Sequence, residues 1–103
     1  MTTFGLLIFD GAEELDFVGP WEVFTASAMI QADAGATADT CVTVAEQAGL
    51  VRCAKGLRVL PDHSFADHPP LDVLLVPGGA GAREGITNAA LTGWIRDTAA
   101  KAT

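Results

Sequence analysis

Residues 4–11 read FGLLIFDG, a continuous apolar run that stops abruptly at Asp10 and Gly11. An apolar strand without polar alternation is typical of a parallel sheet that helices cover on both faces. Residues 71–79 repeat the pattern as LDVLLVPGG, in which an apolar strand ends at Pro77 and two glycines. The two runs therefore predict two buried strands of a parallel sheet.

The segments between these runs predict the rest of an α/β fold. Pro20 suits the first turn of a helix, because its missing N–H needs no partner there. Residues 41–45 predict a short strand, residues 50–60 a hairpin around Gly56, and residues 88–102 an amphipathic helix. The inward face of the first helix is predicted from helical spacing, and it carries Trp21, Phe24, Ala28 and Met29.

This order of elements is that of a doubly wound, mostly parallel α/β sheet of the flavodoxin-like kind. Each helix of such a sheet normally leads into a further parallel strand. We therefore expect residues 1–103 to form a single α/β domain that is incomplete at its C-terminus, the front half of a larger domain. Functional sites in this architecture form at the carboxyl ends of strands, which directs attention to residues 10–20 and 77–85.

Composition excludes several classes of protein. Thirteen Asp and Glu residues against six Lys and Arg give a net charge of −7, which disfavours contact of this segment with nucleic acid or an anionic membrane surface. No apolar run approaches the roughly 20 residues of a membrane span, and residues 4–9 lack the basic flank of a signal peptide. A cytoplasmic location is therefore predicted.

Three acidic residues crowd the first strand-to-helix junction. Asp16 lies between Leu15 and Phe17 and is expected to be partly buried, whereas Glu13 and Glu14 are expected to be solvated charges near a helix start. A carboxyl group removed from water can act as a proton donor near neutral pH, which makes Asp16 a candidate catalytic acid. The alternative is a helix-entry carboxylate that accepts backbone N–H bonds.

The second junction, residues 76–85, is rich in glycine between a buried strand and a helix. Its backbone N–H groups can point at an incoming anion, which makes it a candidate oxyanion hole. Gly79 and Gly81 also match part of a dinucleotide-binding fingerprint, although that motif belongs to the first strand of its fold. The structural alternative is that the glycines only permit a tight turn.

Cys41 and Cys53 match no zinc or haem spacing and are expected to be free, buried thiols. Arg52 and Lys55 are the neighbours in sequence that favour a lower pKa for Cys53, a modest argument for reactivity. His63 and His68 are five residues apart in a loop segment, and they are interpreted as surface residues and not as metal ligands. Neither a metal nor a cofactor is expected.

Two longer motifs resemble a known family. Residues 9–24 read FDGAEELDFVGPWEVF, and together with LDVLLVPGG at residues 71–79 they resemble the ThiJ/PfpI superfamily, whose fold is class I glutamine amidotransferase-like. The resemblance spans nearly the whole chain. Within the superfamily the sequence is most similar to isocyanide (isonitrile) hydratases, and to the ligand-binding domains of certain transcriptional regulators.

The resemblance implies a role for named residues. Asp16 corresponds to the acid that hydrogen-bonds the family's nucleophilic cysteine, and the amides of Gly78 and Gly79 correspond to oxyanion donors. Neither cysteine of this sequence occupies the nucleophile's place, which the resemblance puts on a sharp turn after a strand that follows Thr103. We expect that cysteine within about ten residues of Thr103, because a strand must follow the last helix in a doubly wound sheet.

The resemblance also implies an activity. The expected protein is a cytoplasmic homodimer and a cysteine-dependent hydratase that converts a small-molecule isocyanide to an N-substituted formamide without a cofactor. A non-catalytic ligand-sensing domain of a transcriptional regulator is one alternative. A peptidase or deglycase of the same superfamily is another.

Overall fold

A computed structural model of the chain describes residues 1–79 and 88–102. Within these residues the chain forms strands and helices in the order β1 (Thr3–Leu7), α1 (Glu14–Asp33), β2 (Thr40–Ala45), β3 (Val51–Arg52), β4 (Arg58–Val59), β5 (His63–Ser64), β6 (Val73–Leu75) and α2 (Ala89–Ala99). Neither helix is long and apolar enough to cross a membrane.

Four strands pair in parallel in the order β5-β2-β1-β6. Leu6 of β1 lies opposite Thr43 of β2 on one side and Leu75 of β6 on the other. The chain thus winds from β1 toward β5 in one direction and then returns to place β6 on the opposite side of β1. The predicted α/β, mostly parallel fold is confirmed, and its switch point lies between the carboxyl ends of β1 and β6.

The core centres on β1, as its apolar sequence predicts. Leu6, Leu7 and Ile8 have no exposed surface, and Phe17 of α1, which is 3% exposed, packs in one cluster with Leu6 and Ile8. The second apolar run differs from its prediction, because all three residues of β6 are only half-buried and Val76 beyond it is 46% exposed. The reason is that β6 forms an edge of the sheet that the structure describes.

Helix α1 begins at Glu14, so the prediction that Pro20 lies in its first turn was wrong. The backbone N–H of Asp16 already donates to the Glu13 carbonyl at 3.1 Å, which closes a turn well before the proline. Pro20 lies inside the helix and has no N–H to donate to the Asp16 carbonyl four residues earlier. The helix ends at Asp33, with Ala34 at its C-cap and Gly35 beyond it at a positive φ.

The inward face of α1 is only partly as predicted. Trp21, Phe24 and Ala28 are half-buried, and Phe24 stacks on Phe4 of β1 with ring centroids 4.2 Å apart. Met29 is 68% exposed, which contradicts its placement on the inward face. The spacing of apolar residues does not distinguish the inward from the outward face of α1, because the helix is apolar on several sides. The other exposed apolar residues of the helix are Leu15, Val18, Val23 and Ile30.

Strand β5 lies within a segment that the sequence presents as a polar loop. His63 pairs with Val44 at the edge of β2, and His68 further along is half-buried beneath α2. Both histidines are half-buried and so more covered than the surface positions predicted for them. The backbone pairing of β5 with β2 holds His63, and Trp94 contacts His68, although the segment carries no apolar run.

Helix α2 starts at a side-chain cap that its sequence supplies. The Asn88 side chain accepts hydrogen bonds from the backbone N–H groups of Ala90 and Leu91, at 3.1 and 3.2 Å. Leu91 and Thr98 are the buried residues of the helix, and its other side is exposed, as expected of an amphipathic helix. The cap and this buried face fix α2 against the sheet.

Candidate functional site

The turn after β6 meets the turn between β1 and α1 at the switch point of the sheet. The Glu13 backbone N–H donates to the Gly78 carbonyl at 2.9 Å. In return, the Gly78 N–H donates to the Asp16 Oδ2 atom at 3.0 Å. These reciprocal hydrogen bonds fix the Asp16 carboxylate beside Pro77, Gly78 and Gly79, which is where strand ends form ligand sites in this architecture.

Gly79 allows the two turns to approach this closely. Its φ angle is +109°, and a Cβ atom on it would lie 2.6 Å from the Gly11 carbonyl oxygen and 2.7 Å from the Glu13 nitrogen. Both contacts are with backbone atoms, which cannot rotate away as a side chain can. A side chain at position 79 would therefore force the two turns apart.

The β3–β4 hairpin is the third element of the site. The Gly11 N–H donates to the Arg52 carbonyl at 2.8 Å, and the Ala54 N–H donates to the Ala12 carbonyl at 2.8 Å. The hairpin thus holds the β1–α1 turn through two backbone hydrogen bonds, in addition to the bond that the turn makes with Gly78. The sequence predicts the hairpin itself. It does not predict these contacts, because they are made by backbone atoms, which do not depend on the residue type.

Glu14 joins the hairpin to the start of α1. Its Oε2 atom accepts hydrogen bonds from the backbone N–H groups of Lys55, at 2.8 Å, and Leu57, at 3.3 Å. The Lys55 ammonium group also forms an ion pair with Glu13. The prediction that Glu13 and Glu14 are solvated charges was therefore wrong, because the turn of the hairpin presents its amides and its lysine to both carboxylates.

These contacts change the titration of two groups. Partial desolvation raises the pKa of Glu14, but the backbone hydrogen bonds and the Lys55 charge outweigh it and leave the pKa below its ordinary value. The hydrogen bond from Lys55 to Glu13, with the charges of the surrounding acids, raises the pKa of Lys55. Both shifts favour the charged forms, so this cluster is most stable while Glu14 is ionised.

Replacing Glu14 with Gln is expected to destabilise the protein in a pH-dependent way. A carboxylate whose pKa is lowered by folding stabilises the native state above its ordinary pKa, and the contribution disappears as the pH falls through the lowered value. The difference in free energy of unfolding between wild type and Glu14→Gln should therefore be largest near about pH 6 and should shrink toward about pH 3. Urea unfolding at several pH values measures it.

Glu22→Gln is the matched control for this prediction, because Glu22 is exposed on the same helix. It should show little difference from wild type at any of these pH values. A Glu14→Gln difference that does not depend on pH would contradict the role given to the ionised carboxylate.

Asp16 is exposed in the structure, so the expectation that it is partly buried was wrong. Its apolar neighbours do not cover it, since Leu15 is 74% and Val18 36% exposed. Asp16 Oδ2 is occupied by the Gly78 amide, while Oδ1 accepts no hydrogen bond from residues 1–79 or 88–102. One oxygen thus orients the carboxylate, and the other can exchange a proton with a reactant.

The two glycine amides differ in their surroundings. The Gly78 N–H donates to Asp16, whereas the Gly79 N–H has no acceptor within the described part of the chain. Assignment of both amides to an oxyanion site stays a prediction. In the structure the Gly78 N–H is already used in the hydrogen bond to Asp16. The remainder of the glycine-rich junction, residues 80–85 with Gly81, lies outside the described residues.

Neither cysteine belongs to this site as a nucleophile. Cys41 is half-buried on β2, and desolvation together with the charge of Asp62 raises its pKa to about 11. Cys53 is buried after β3, where desolvation and the charges of Glu14 and Asp10 raise its pKa. Desolvation and these two acids together outweigh the lowering of the pKa expected from the basic residues beside Cys53 in sequence.

Both thiols should resist alkylation in the folded protein. A thiolate is the reactive form, and the raised pKa of Cys41 lowers its thiolate fraction roughly a hundred-fold near neutral pH. Iodoacetamide labelling of each cysteine, followed by mass spectrometry of its peptide, should be at least about ten-fold slower in native than in denaturant-unfolded protein. Equal rates in the two states would contradict this environment.

A cavity of about 510 Å³ lies at the carboxyl ends of β1 and β2, next to the start of α2. It is lined by residues that include Asp10, Glu46, Leu50 and Asn88, while Asp16 and Gly78 do not line it. The Asn88 side-chain amide donates to Glu46 at 2.9 Å across this space. No group of three or more His, Cys, Asp or Glu side chains among the described residues is arranged to hold a metal ion.

The chain was compared with known proteins. A model of the DJ-1/PfpI family matches residues 4–103. A curated relative, isonitrile hydratase from Pseudomonas putida, is 32% identical over 98 residues, which cover 95% of this chain and 39% of the relative. The chain thus spans about two fifths of that relative's length.

Solved structures agree with this match. A ThiJ/PfpI family protein from Pseudomonas syringae superposes with a TM-score of 0.81 at 25% identity, over 98% of this chain and 39% of that protein. Oxidised DJ-1 from Toxoplasma gondii superposes with a TM-score of 0.72 at 18% identity, over 94% of this chain and 50% of that protein, and shows the fold alone. The family match over residues 4–103 confirms the resemblance drawn from the two sequence motifs. The chain therefore belongs to the DJ-1/PfpI family.

Proposed function

We propose that the protein hydrates small isonitriles to N-substituted formamides, with Asp16 moving the protons. The observation that carries the proposal is the hydrogen bond from the Gly78 amide to Asp16, which holds a carboxylate at the switch point with one oxygen left for a reactant. The 32% identity to a protein named isonitrile hydratase supports the choice of substrate class.

The reaction needs a thiol, a water molecule and a proton carrier. The thiol sulfur bonds to the terminal carbon of the isonitrile, Asp16 takes the thiol proton, and it returns that proton to the same carbon. The product is a thioimidate. A carboxylate suits this step because it accepts a proton and then donates it within one site.

Water then completes the cycle. Its oxygen bonds to the thioimidate carbon while Asp16 takes a proton from it and passes that proton to the nitrogen. The tetrahedral intermediate collapses by breaking the carbon–sulfur bond, and the departing sulfur recovers the remaining hydroxyl proton. The sum is one isonitrile and one water converted to one N-substituted formamide, with the thiol regenerated.

The turn formed by Gly78 and Gly79 is proposed to supply the backbone N–H donors for this cycle. Gly79, whose N–H has no acceptor among the described residues, is proposed to donate to the oxygen of the tetrahedral intermediate. Gly78 is proposed to act with it, and in the structure its N–H orients Asp16. Both roles depend on the close approach of the β6 and β1 turns that Gly79 permits.

The thiol is proposed to come from a cysteine that follows Thr103. Cys41 lies on β2 with a pKa of about 11, and Cys53 is buried beside acidic groups, so neither provides a ready thiolate. A homodimer in the cytoplasm is the assembly and location we propose for the whole protein, from the family resemblance.

The experiment is an assay of the whole natural protein that contains this sequence, with small alkyl and aryl isonitriles. Formation of the N-substituted formamide, followed by mass spectrometry, is the expected result. In H₂¹⁸O the formamide oxygen should carry the label, and in D₂O the formyl carbon should carry deuterium. Tight binding of isonitriles without turnover would contradict the proposal and favour a ligand-sensing domain.

A further inference from the structure

His68 and Trp94 form a contact that the proposed reaction does not use. The indole N–H of Trp94, on α2, donates to His68 Nε2 at 3.1 Å. His68 Nδ1 lies 2.8 Å from the Pro69 carbonyl oxygen. Trp94 also stacks on Phe65 with ring centroids 4.3 Å apart, so this aromatic group joins α2 to the segment between β5 and β6.

The donors and acceptors fix the protonation state of His68 in this contact. An indole nitrogen can only donate, so His68 Nε2 must accept and therefore carries no proton. The Pro69 carbonyl can only accept, so Nδ1 carries the proton and donates it. Neutral His68 in this one tautomer satisfies both partners, whereas the doubly protonated ring would present an N–H to the indole N–H.

Charged groups near His68 lie mainly on its own segment. Asp67 is adjacent, and its pKa is lowered by hydrogen bonds from Ser64 and by the charges of His63 and His68. On α2, Arg96 is exposed and pairs with Asp97, which is also exposed. Asp67 is thus the charged neighbour of His68 on its own segment, and the Trp94 indole N–H is the group that meets His68 from α2.

We propose that His68 and Trp94 form a proton-sensitive latch, which holds α2 on the β5–β6 segment while His68 is neutral and releases Trp94 when His68 is protonated. Imidazole is the side chain that ordinarily changes charge between about pH 5 and pH 8. Release would detach Trp94 from His68 at the middle of α2, while the Asn88 cap and the buried residues Leu91 and Thr98 still hold the helix on the sheet. This inference is independent of the proposed enzymatic function.

The test follows the Trp94 indole N–H by nuclear magnetic resonance in the whole natural protein, with the signal assigned by its loss in Trp94→Phe. Near about pH 8 the indole N–H should resonate as a hydrogen-bonded group. Toward about pH 5 it should move to the position of a free indole and exchange with water roughly five-fold faster, the factor expected for loss of one net hydrogen bond.

His68→Gln supplies the decisive comparison, because its side-chain oxygen can accept from the indole but does not titrate over this range. In that variant the Trp94 signal should not change with pH. His63→Gln is the matched control and should keep the wild-type dependence. A wild-type signal that does not change between these pH values, or one that still changes in His68→Gln, would overturn the latch.

Discussion

Asp16→Asn should lower the turnover of isonitriles by about 10²- to 10⁴-fold, the range in which a positioned acid–base group contributes to catalysis. Asn cannot take or give the proton that the proposed cycle passes through the carboxylate. Its side-chain oxygen can still accept the Gly78 N–H, so the free energy of unfolding should stay within about 0.5 kcal/mol of wild type. Steady-state kinetics and urea unfolding of the same preparations measure both quantities.

Asp33→Asn is the control for this change, because Asp33 is the exposed last residue of α1, far along the helix from the site. Its turnover and stability should match wild type. Equal turnover in Asp16→Asn and wild type would remove Asp16 from the mechanism while leaving the fold assignment intact.

Gly79→Ala should be the most destabilising of the substitutions considered. Its Cβ atom would lie 2.6 Å from the Gly11 carbonyl oxygen, and its φ of +109° is one that residues with a side chain rarely adopt. Backbone strain and the backbone clash together are expected to cost roughly 2–4 kcal/mol. Urea unfolding measures this cost, and the loss of the Asp16–Gly78 contact should abolish turnover as well.

Gly35→Ala separates strain from clash. Gly35 has a φ of +79°, but a Cβ there would meet nothing within 4 Å. Its substitution should cost only the about 1–2 kcal/mol of a left-handed backbone with a side chain. If Gly79→Ala is no more destabilising than Gly35→Ala, the two turns do not approach each other as the structure has them.

Much of the fold could be predicted from the hydrophobic pattern together with the positions of turn residues. The apolar run ending at Asp10 gives the central strand β1, and the glycine at position 56 marks the turn of the β3–β4 hairpin. The hydrophobic pattern was least informative for α1. Because apolar residues lie on several sides of this helix, the pattern did not show that Met29 is exposed, and Pro20 suggested a later helix start. Tertiary contacts decided both features.

The proximity of the two junctions was predictable, but most of the contacts around them were not. The two junctions that the sequence singles out do meet, and Asp16 does contact Gly78. Glu14 was misjudged because its partners are the backbone amides of Lys55 and Leu57, which any residue would supply. His68 was misjudged because its partner, Trp94, is 26 residues away in sequence.

The hydrogen bond between Asp16 and Gly78 supports both the site and the proposed function, and the Gly78 amide resonance tests it most directly. As the solution is acidified, protonation of Asp16 should shift the ¹⁵N and ¹H signals of Gly78 in the wild-type protein, and the shift should vanish in Asp16→Asn. A Gly78 signal with the same dependence on pH in both proteins would contradict the account, because the carboxylate would then lie elsewhere.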